Sequence, residues 1–391
     1  MPAYEPHTTL IEIGEIAVIG WLQPIELRRF ADPKMLSLIK GFLHRFLARL
    51  SPSLARRAIL SARYVRAEHA FLLKVWDQAA AEYMQFTKVF PGDATACYKL
   101  GACFYNMERF DDAVSALQRS LQIHVGNADA YYKLGNIYKD QRQHSQTRLC
   151  YKRVIALEPE NAQAKNNLGV ILDMQGEVDG AIDQYRAAIN ANTELVVAHM
   201  SLADLLMRHG RGSEAKQHYQ TAIVIETTSA GAIVGLASVH IQHHEYIEAQ
   251  TLLRKTTTEY PEYIAGWVKL SEVLIQLGNI DEAVEAYQEA LNFHSNHVGL
   301  LSDLGQLYSQ QGALEQAIEC YVTASQADQN CISCAVNAGG ALQQLERYQE
   351  AEQYFLMALT KPLPVGHHNR YSSSPFIWST WEANLGVTRA T

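Results

Sequence analysis

Apolar positions in this chain follow two periods at once. Within short segments they return every three or four residues, the spacing of one helix face. The whole pattern then returns every 34 residues. A small row runs through Gly101, Gly135, Gly169, Ala203, Ala237, Ser271, Gly305 and Gly339. Twelve residues after each comes Ala113, Thr147, Ala181, Ala215, Ala249, Ala283, Ala317 or Ala351. Four further on stands a bulky row of Leu117, Tyr151, Tyr185, Tyr219, Leu253, Tyr287, Tyr321 and Phe355. Such a period marks stacked units that cannot bury their apolar faces alone.

Each unit reads as two antiparallel helices. In Ala128 to Asn161 they span roughly Asp129 to Asp140 and Ser145 to Leu157. The small residue sits where two helices cross closely, because a larger side chain would force them apart. The Ala row does the same from the second helix, and the bulky row fills the space between consecutive repeats. Gly176, Gly210, Gly278 and Gly312 fall between the helices of their units, and Pro91, Pro159 and Pro261 fall between units.

Several positions together carry a family resemblance. Leu134, Gly135, Tyr138, Tyr151 and Pro159 resemble the tetratricopeptide repeat pattern, as do Trp267, Leu270, Ala283, Tyr287 and Ala290. Thr147, His240 and Leu253 depart from it in single units. Counting back from Gly101 reaches Ala67, Ala79, Tyr83 and Pro91 in the expected places. The resemblance implies an all-α, right-handed superhelical solenoid of about nine helix-turn-helix repeats. The resulting division is a weakly structured extension at 1–32, a basic amphipathic helical cap at 33–59, and nine repeats at 60–365. Residues 366–391 form a loop and then a helix, which either caps the array or begins a truncated repeat. The stacked core is expected to behave as one cooperative body.

Charge narrows the partners. Residues 33–67 carry eight Lys or Arg and no acid, which leaves 25 basic against 41 acidic residues elsewhere. An acidic array argues against nucleic acid, whose backbone requires a basic surface. The basic segment pairs its cations with an apolar stripe of Met35, Leu38, Ile39, Phe42, Phe46 and Leu50. It reads first as a cap on repeat one, and alternatively as a weak membrane-surface contact through 33–67. Leu10 to Leu22 is too short to span a bilayer and is interrupted by Glu12 and Glu15. Scattered cysteines fit a reducing compartment, so a cytoplasmic location is expected.

No enzyme motif is present, and no cofactor or metal site is expected. His240 and His244 lie four apart on a helix, but His240 takes a position that is Tyr or Leu in other repeats, so it reads as structural. Cys331 and Cys334 have the spacing of a redox or metal half-site without a second pair, and read as two ordinary cysteines.

Binding is the expected activity. The resemblance implies that the first helices line a concave groove through the second, fifth, ninth, twelfth and thirteenth repeat positions. Its early part then carries Tyr98, Tyr132, Asn136 and Asn166, and its middle an apolar strip including Met200, Met207, Ile241 and Ile275. Gln242, Gln276, Gln310 and Gln344 form an amide ladder at the 34-residue period. An amide both donates to and accepts from a peptide backbone, which suits an extended partner. Against this, the glutamines read first as solvated residues near helix ends and the ladder second, while members of the apolar strip read equally as groove contacts or as packing. The ladder resembles that of the O-linked N-acetylglucosamine transferases, although theirs uses the sixth repeat position, where this chain has only Asn167 and Asn337. A clamp for acidic chaperone tails is not matched: Tyr132, Val197 and Ser201 stand where its cations belong. The expected function is a protein-interaction scaffold. The alternatives are the regulatory or substrate-recruiting region of a glycosyltransferase-type enzyme and a peripheral membrane assembly factor.

Overall fold

The computed structural model describes residues 52–360, with side chains from Leu60 onward. The extension at 1–32, the predicted helix in 33–50 and the loop and helix of 366–391 lie outside the described residues. Among those described there are helices and no strands. In pairs they are α1 (Pro52–Leu72) and α2 (Trp76–Val89), α3 (Ala94–Asn106) and α4 (Phe110–Ile123), and α5 (Ala128–Asp140) and α6 (His144–Leu157). Next come α7 (Ala162–Met174) and α8 (Val178–Ala191), α9 (Val196–Arg208) and α10 (Gly212–Ile225), and α11 (Ala230–Gln242) and α12 (Tyr246–Glu259). The last three pairs are α13 (Ile264–Gln276) and α14 (Ile280–Phe293), α15 (Val298–Gln310) and α16 (Leu314–Ala327), and α17 (Ile332–Gln344) and α18 (Tyr348–Leu359).

The fold is an all-α helical-repeat solenoid. By its internal contacts it divides into two compact units, Met1–Leu205 and Leu206–Thr391. The physical reason is that a repeat packs only on its sequence neighbours, so cohesion is local.

The 34-residue rows acquire specific contacts. A Cβ on Gly135 would lie 2.7 Å from Tyr151 Cε1, and one on Gly169 would lie 2.7 Å from Tyr185 Cε1. Gly101 faces Leu117, Gly305 faces Tyr321, and Gly339 faces Phe355 in the same way. The bulky row therefore fills the gap inside its own repeat, where the missing side chain makes room. It also reaches forward, since the ring of Tyr219 covers Gly235 of the next first helix. The departures from the pattern are accommodated. Thr147 is fully buried in the Ala row and donates its hydroxyl to the Gln143 carbonyl at 2.9 Å. Ser271 in the small row donates to the Ala283 carbonyl at 3.5 Å.

Two further rows govern the helix ends. Every described turn inside a helix pair has one residue with positive φ, at Lys74, Glu108, Arg142, Gly176, Gly210, His244, Gly278, Gly312 and Glu346. These too are 34 apart, and each ends a first helix in the left-handed conformation. Only four are the glycines read from the sequence. At the other end, Asp93, Asn127 and Asn161 cap the first helices α3, α5 and α7 by accepting from the third residue on, at 2.8, 3.1 and 2.9 Å. His297 does so through Nδ1 for α15, and Cys331 through Sγ for α17.

In the first unit the pair α1–α2 is tied to α3 by charge. Glu68 accepts from Tyr83 Oη at 2.7 Å and from Lys99 Nζ. Burial alone would raise its carboxyl, but hydrogen bonds from Lys99 and Tyr83 and the Lys99 charge outweigh that and hold it below its ordinary 4.5. A depressed carboxyl contributes stability that is full above the ordinary value and is lost as pH falls through the folded one. With 27% of this side chain exposed, Glu68→Gln is expected to cost about 1 kcal/mol at neutral pH, below the usual range for charged hydrogen bonds. Denaturant titrations should show that deficit closing as the pH drops below 4.5. A deficit constant from neutral to acid pH would show that the charge is not what Glu68 contributes.

Candidate functional site

In the first unit, the fifth-position side chains of α3, α5 and α7 are Tyr98, Tyr132 and Asn166. Tyr98 is half-buried against the core, and its hydroxyl is pushed up to about 12 by burial and then by the charge of Asp129. The Tyr132 hydroxyl accepts from Asn167 Nδ2 at 3.1 Å and donates to Gln163 Oε1 at 3.5 Å. Its ring leans on Tyr151 with centroids 5.9 Å apart. Asn166 is 5% exposed, and its Oδ1 has no hydrogen-bond partner. Asn136 accepts from the Tyr151 hydroxyl at 2.8 Å, so its amide oxygen is already engaged in packing. Met200, on α9, is half-buried.

The sixth position, weighed from the sequence only for its asparagines, places two lysines over aromatic rings. Lys99 lies over the ring of Phe71 at 5.6 Å and Lys133 over Tyr105 at 5.2 Å. Burial lowers the Lys133 ammonium, against the pull of Asp129. Asn167 at this position is spent on Tyr132. A basic residue one place after an aromatic row was the available signal.

The second unit holds the remaining candidates. Gln242, Gln276, Gln310 and Gln344 are all exposed, and each is the last residue of its first helix. The Gln242 amide reaches over the start of α10, where a Cβ on Gly212 would lie 2.9 Å from its Oε1. Met207 is half-buried. Ile241 and Ile275 pack against the core built on Val273, Leu274 and Leu300, together with Val268, while Val234 is buried. Of the two readings of the apolar strip in this unit, Val234 takes the packing one, while Ile241, Val268 and Ile275 pack on the core with part of each side chain still exposed. Each first helix must cover its neighbour, and these positions lie on the covering side.

The residues that suggested other chemistry have structural roles. The half-buried His240 bonds through Nδ1 to Glu245, and His244 through Nδ1 to the Tyr246 hydroxyl at 2.9 Å. His244 also occupies the left-handed turn position. Arg63 and Arg66, from the basic segment, both meet Glu82, at 3.5 and 3.1 Å. Cys331 and Cys334 differ from expectation: they are joined in a disulfide, whereas Cys97, Cys103, Cys150 and Cys320 are free. The reason is geometric, since a cap residue and the third helical residue bring their Cα atoms to 5.4 Å. No described helix is long and apolar enough to cross a membrane.

Models of the tetratricopeptide repeat match residues 64–130, 132–194, 240–296, 274–335 and 331–361, together more than half of the chain. The chain belongs to the tetratricopeptide repeat family. Among solved structures, a tetratricopeptide repeat protein from Parabacteroides merdae is similar over 68% of this chain and 98% of its own, at 14% identity and a TM-score of 0.52. PilF from Pseudomonas aeruginosa is similar over 57% of this chain and 96% of its own, at 18% identity and a TM-score of 0.45. YrrB, a repeat protein described as having an unusual peptide-binding site, shares 22% identity over 45% of this chain and 91% of its own, with a TM-score of 0.35. No curated protein matches the chain. The family supports protein interaction as the general activity.

Proposed function

We propose that this protein is a non-catalytic scaffold whose first helices hold an extended segment of a protein partner, in the cytoplasm. The observation that carries this reading is the set of four exposed glutamines, Gln242, Gln276, Gln310 and Gln344, at one register position of successive first helices. An exposed amide repeated at the period of the fold offers a donor and an acceptor to the backbone of each passing residue, whatever its side chain. Half-buried Ile241 and Ile275, each one residue before a glutamine, add apolar edges beside the amides. Each contact contributes little, and affinity accumulates along the repeats.

A photo-crosslinking residue placed at Gln276 or Gln310 of the full chain is expected to capture the partner in the native lysate. The same residue at Ile247, exposed on the second helix α12, should capture it at background level. With the crosslinking residue at Gln344 instead, Gln276→Ala with Gln310→Ala should weaken capture by about tenfold, roughly 0.7 kcal/mol for each lost amide pair. Equal capture from both positions, or a folded double variant that captures as well as the wild type, would move the partner off the first helices.

A further inference from the structure

The disulfide between Cys331 and Cys334 has an arrangement that packing alone does not require. Cys331 stands in the capping row with Asp93, Asn127, Asn161 and His297, at the start of the 13-residue helix α17. Cys334 stands at the register of Ala96, Ala130, Ala164 and Ala232, fully buried against Leu301 and Ala324. One sulfur therefore faces outward, half-exposed, and the other inward. Two donors point at the outer sulfur: the Cys334 backbone N–H at 3.3 Å and the Ser333 hydroxyl at 3.4 Å. Together with the positive end of the α17 dipole, they stabilise negative charge on Cys331 Sγ when the bond is open.

We propose that Cys331 and Cys334 form a thiol–disulfide exchange site for small-molecule disulfides and thiols, with Cys331 the exchanging sulfur and Cys334 the buried resolving one. In the oxidising direction the Cys331 thiolate attacks one sulfur of the small disulfide and expels a thiolate, leaving a mixed disulfide on Cys331. Cys334, deprotonated, then attacks Cys331 Sγ, closes the internal bond and expels the second small thiolate. Two cysteine thiols are oxidised to one disulfide, one small disulfide is reduced to two thiols, and the two protons pass to the products. The other four cysteines provide an internal contrast. Burial pushes Cys103 up to about 12 and Cys150 and Cys320 up to about 11, and it raises Cys97 as well, so they remain protonated thiols.

The test is to equilibrate the full chain with graded mixtures of reduced and oxidised glutathione, quench in acid, and map each cysteine by differential alkylation and mass spectrometry. The 331–334 pair is expected to open and close reversibly across the series while Cys97, Cys103 and Cys150 stay reduced. In Cys334→Ala, which restores the residue found at Ala96 and Ala130, glutathione should be retained on Cys331 about tenfold faster than on Cys320. Cys334→Ser repeats this measurement should the alanine variant fail to fold. A pair that stays closed under fully reducing glutathione, or free thiols that never close under oxidising glutathione, would overturn the proposal. So would an adduct forming as fast on Cys320 as on Cys331.

Discussion

Tyr151→Ala is expected to cost about 3–5 kcal/mol and to loosen the α5–α6 pair. The ring is fully buried and fills the space left open by Gly135. Its hydroxyl donates to Asn136 at 2.8 Å, and Tyr132 leans on its face. Truncation removes the apolar area, leaves a cavity between two helices and strands the Asn136 oxygen. Tyr151→Phe isolates the last of these effects and should cost about 1 kcal/mol. Hydrogen exchange read by mass spectrometry should place the lost protection in α5 and α6 first, because repeats unfold locally. A Tyr151→Ala protein as stable as wild type would mean that the bulky row does not hold the helix pairs together.

The second large effect is of opposite kind and lies in the other unit. Gly305→Leu is expected to cost about 3 kcal/mol, from overpacking. A Cβ at this position would already lie 2.8 Å from Tyr321 Cε1, and the ring is buried. Gly305→Ala should stay within about 1 kcal/mol of wild type, because a small ring shift is offset by the better helix propensity of alanine. The array itself carries buried Ala237 at this row. Denaturant midpoints of the three proteins should rank glycine and alanine together and leucine well below. If the leucine variant matches the alanine one, the α15–α16 pair can open freely and the small row reflects something other than close approach.

Much of the fold was legible because a repeated constraint is averaged over its copies. One Gly says little, whereas Gly101, Gly135, Gly169, Gly305 and Gly339 at one interval exclude most roles but packing. The predicted helices of the Ala128 to Asn161 unit differ from α5 and α6 by a single residue at their starts. The turn row was only partly legible. Its glycines announce positive φ, but Lys74, Glu108, Arg142, His244 and Glu346 adopt it too, because the surrounding helix pair dictates the turn. The candidate site was less legible still. Whether Ile241 or Asn136 meets solvent or protein depends on what the neighbouring helix places beside it. Tyr151 claims Asn136, and the core of the second unit claims Ile241 and Ile275.

By itself, then, the 34-residue pattern determined the helical-repeat array and its helix pairs, since these follow from local periodicity repeated many times, while motif residues such as Gly135, Tyr138, Tyr151 and Pro159 carried the resemblance to the family. Only the tertiary structure decided which repeated positions remain open. It left the glutamines exposed at the first-helix ends and half-buried Ile241 and Ile275 against the core. It also divided the chain into two units at Leu205, and it brought Cys331 and Cys334 into one bond. The physical reason is common to all four. Exposure, cohesion and bond formation depend on the distance between side chains of different turns or helices, and a linear pattern of residue types does not contain that distance.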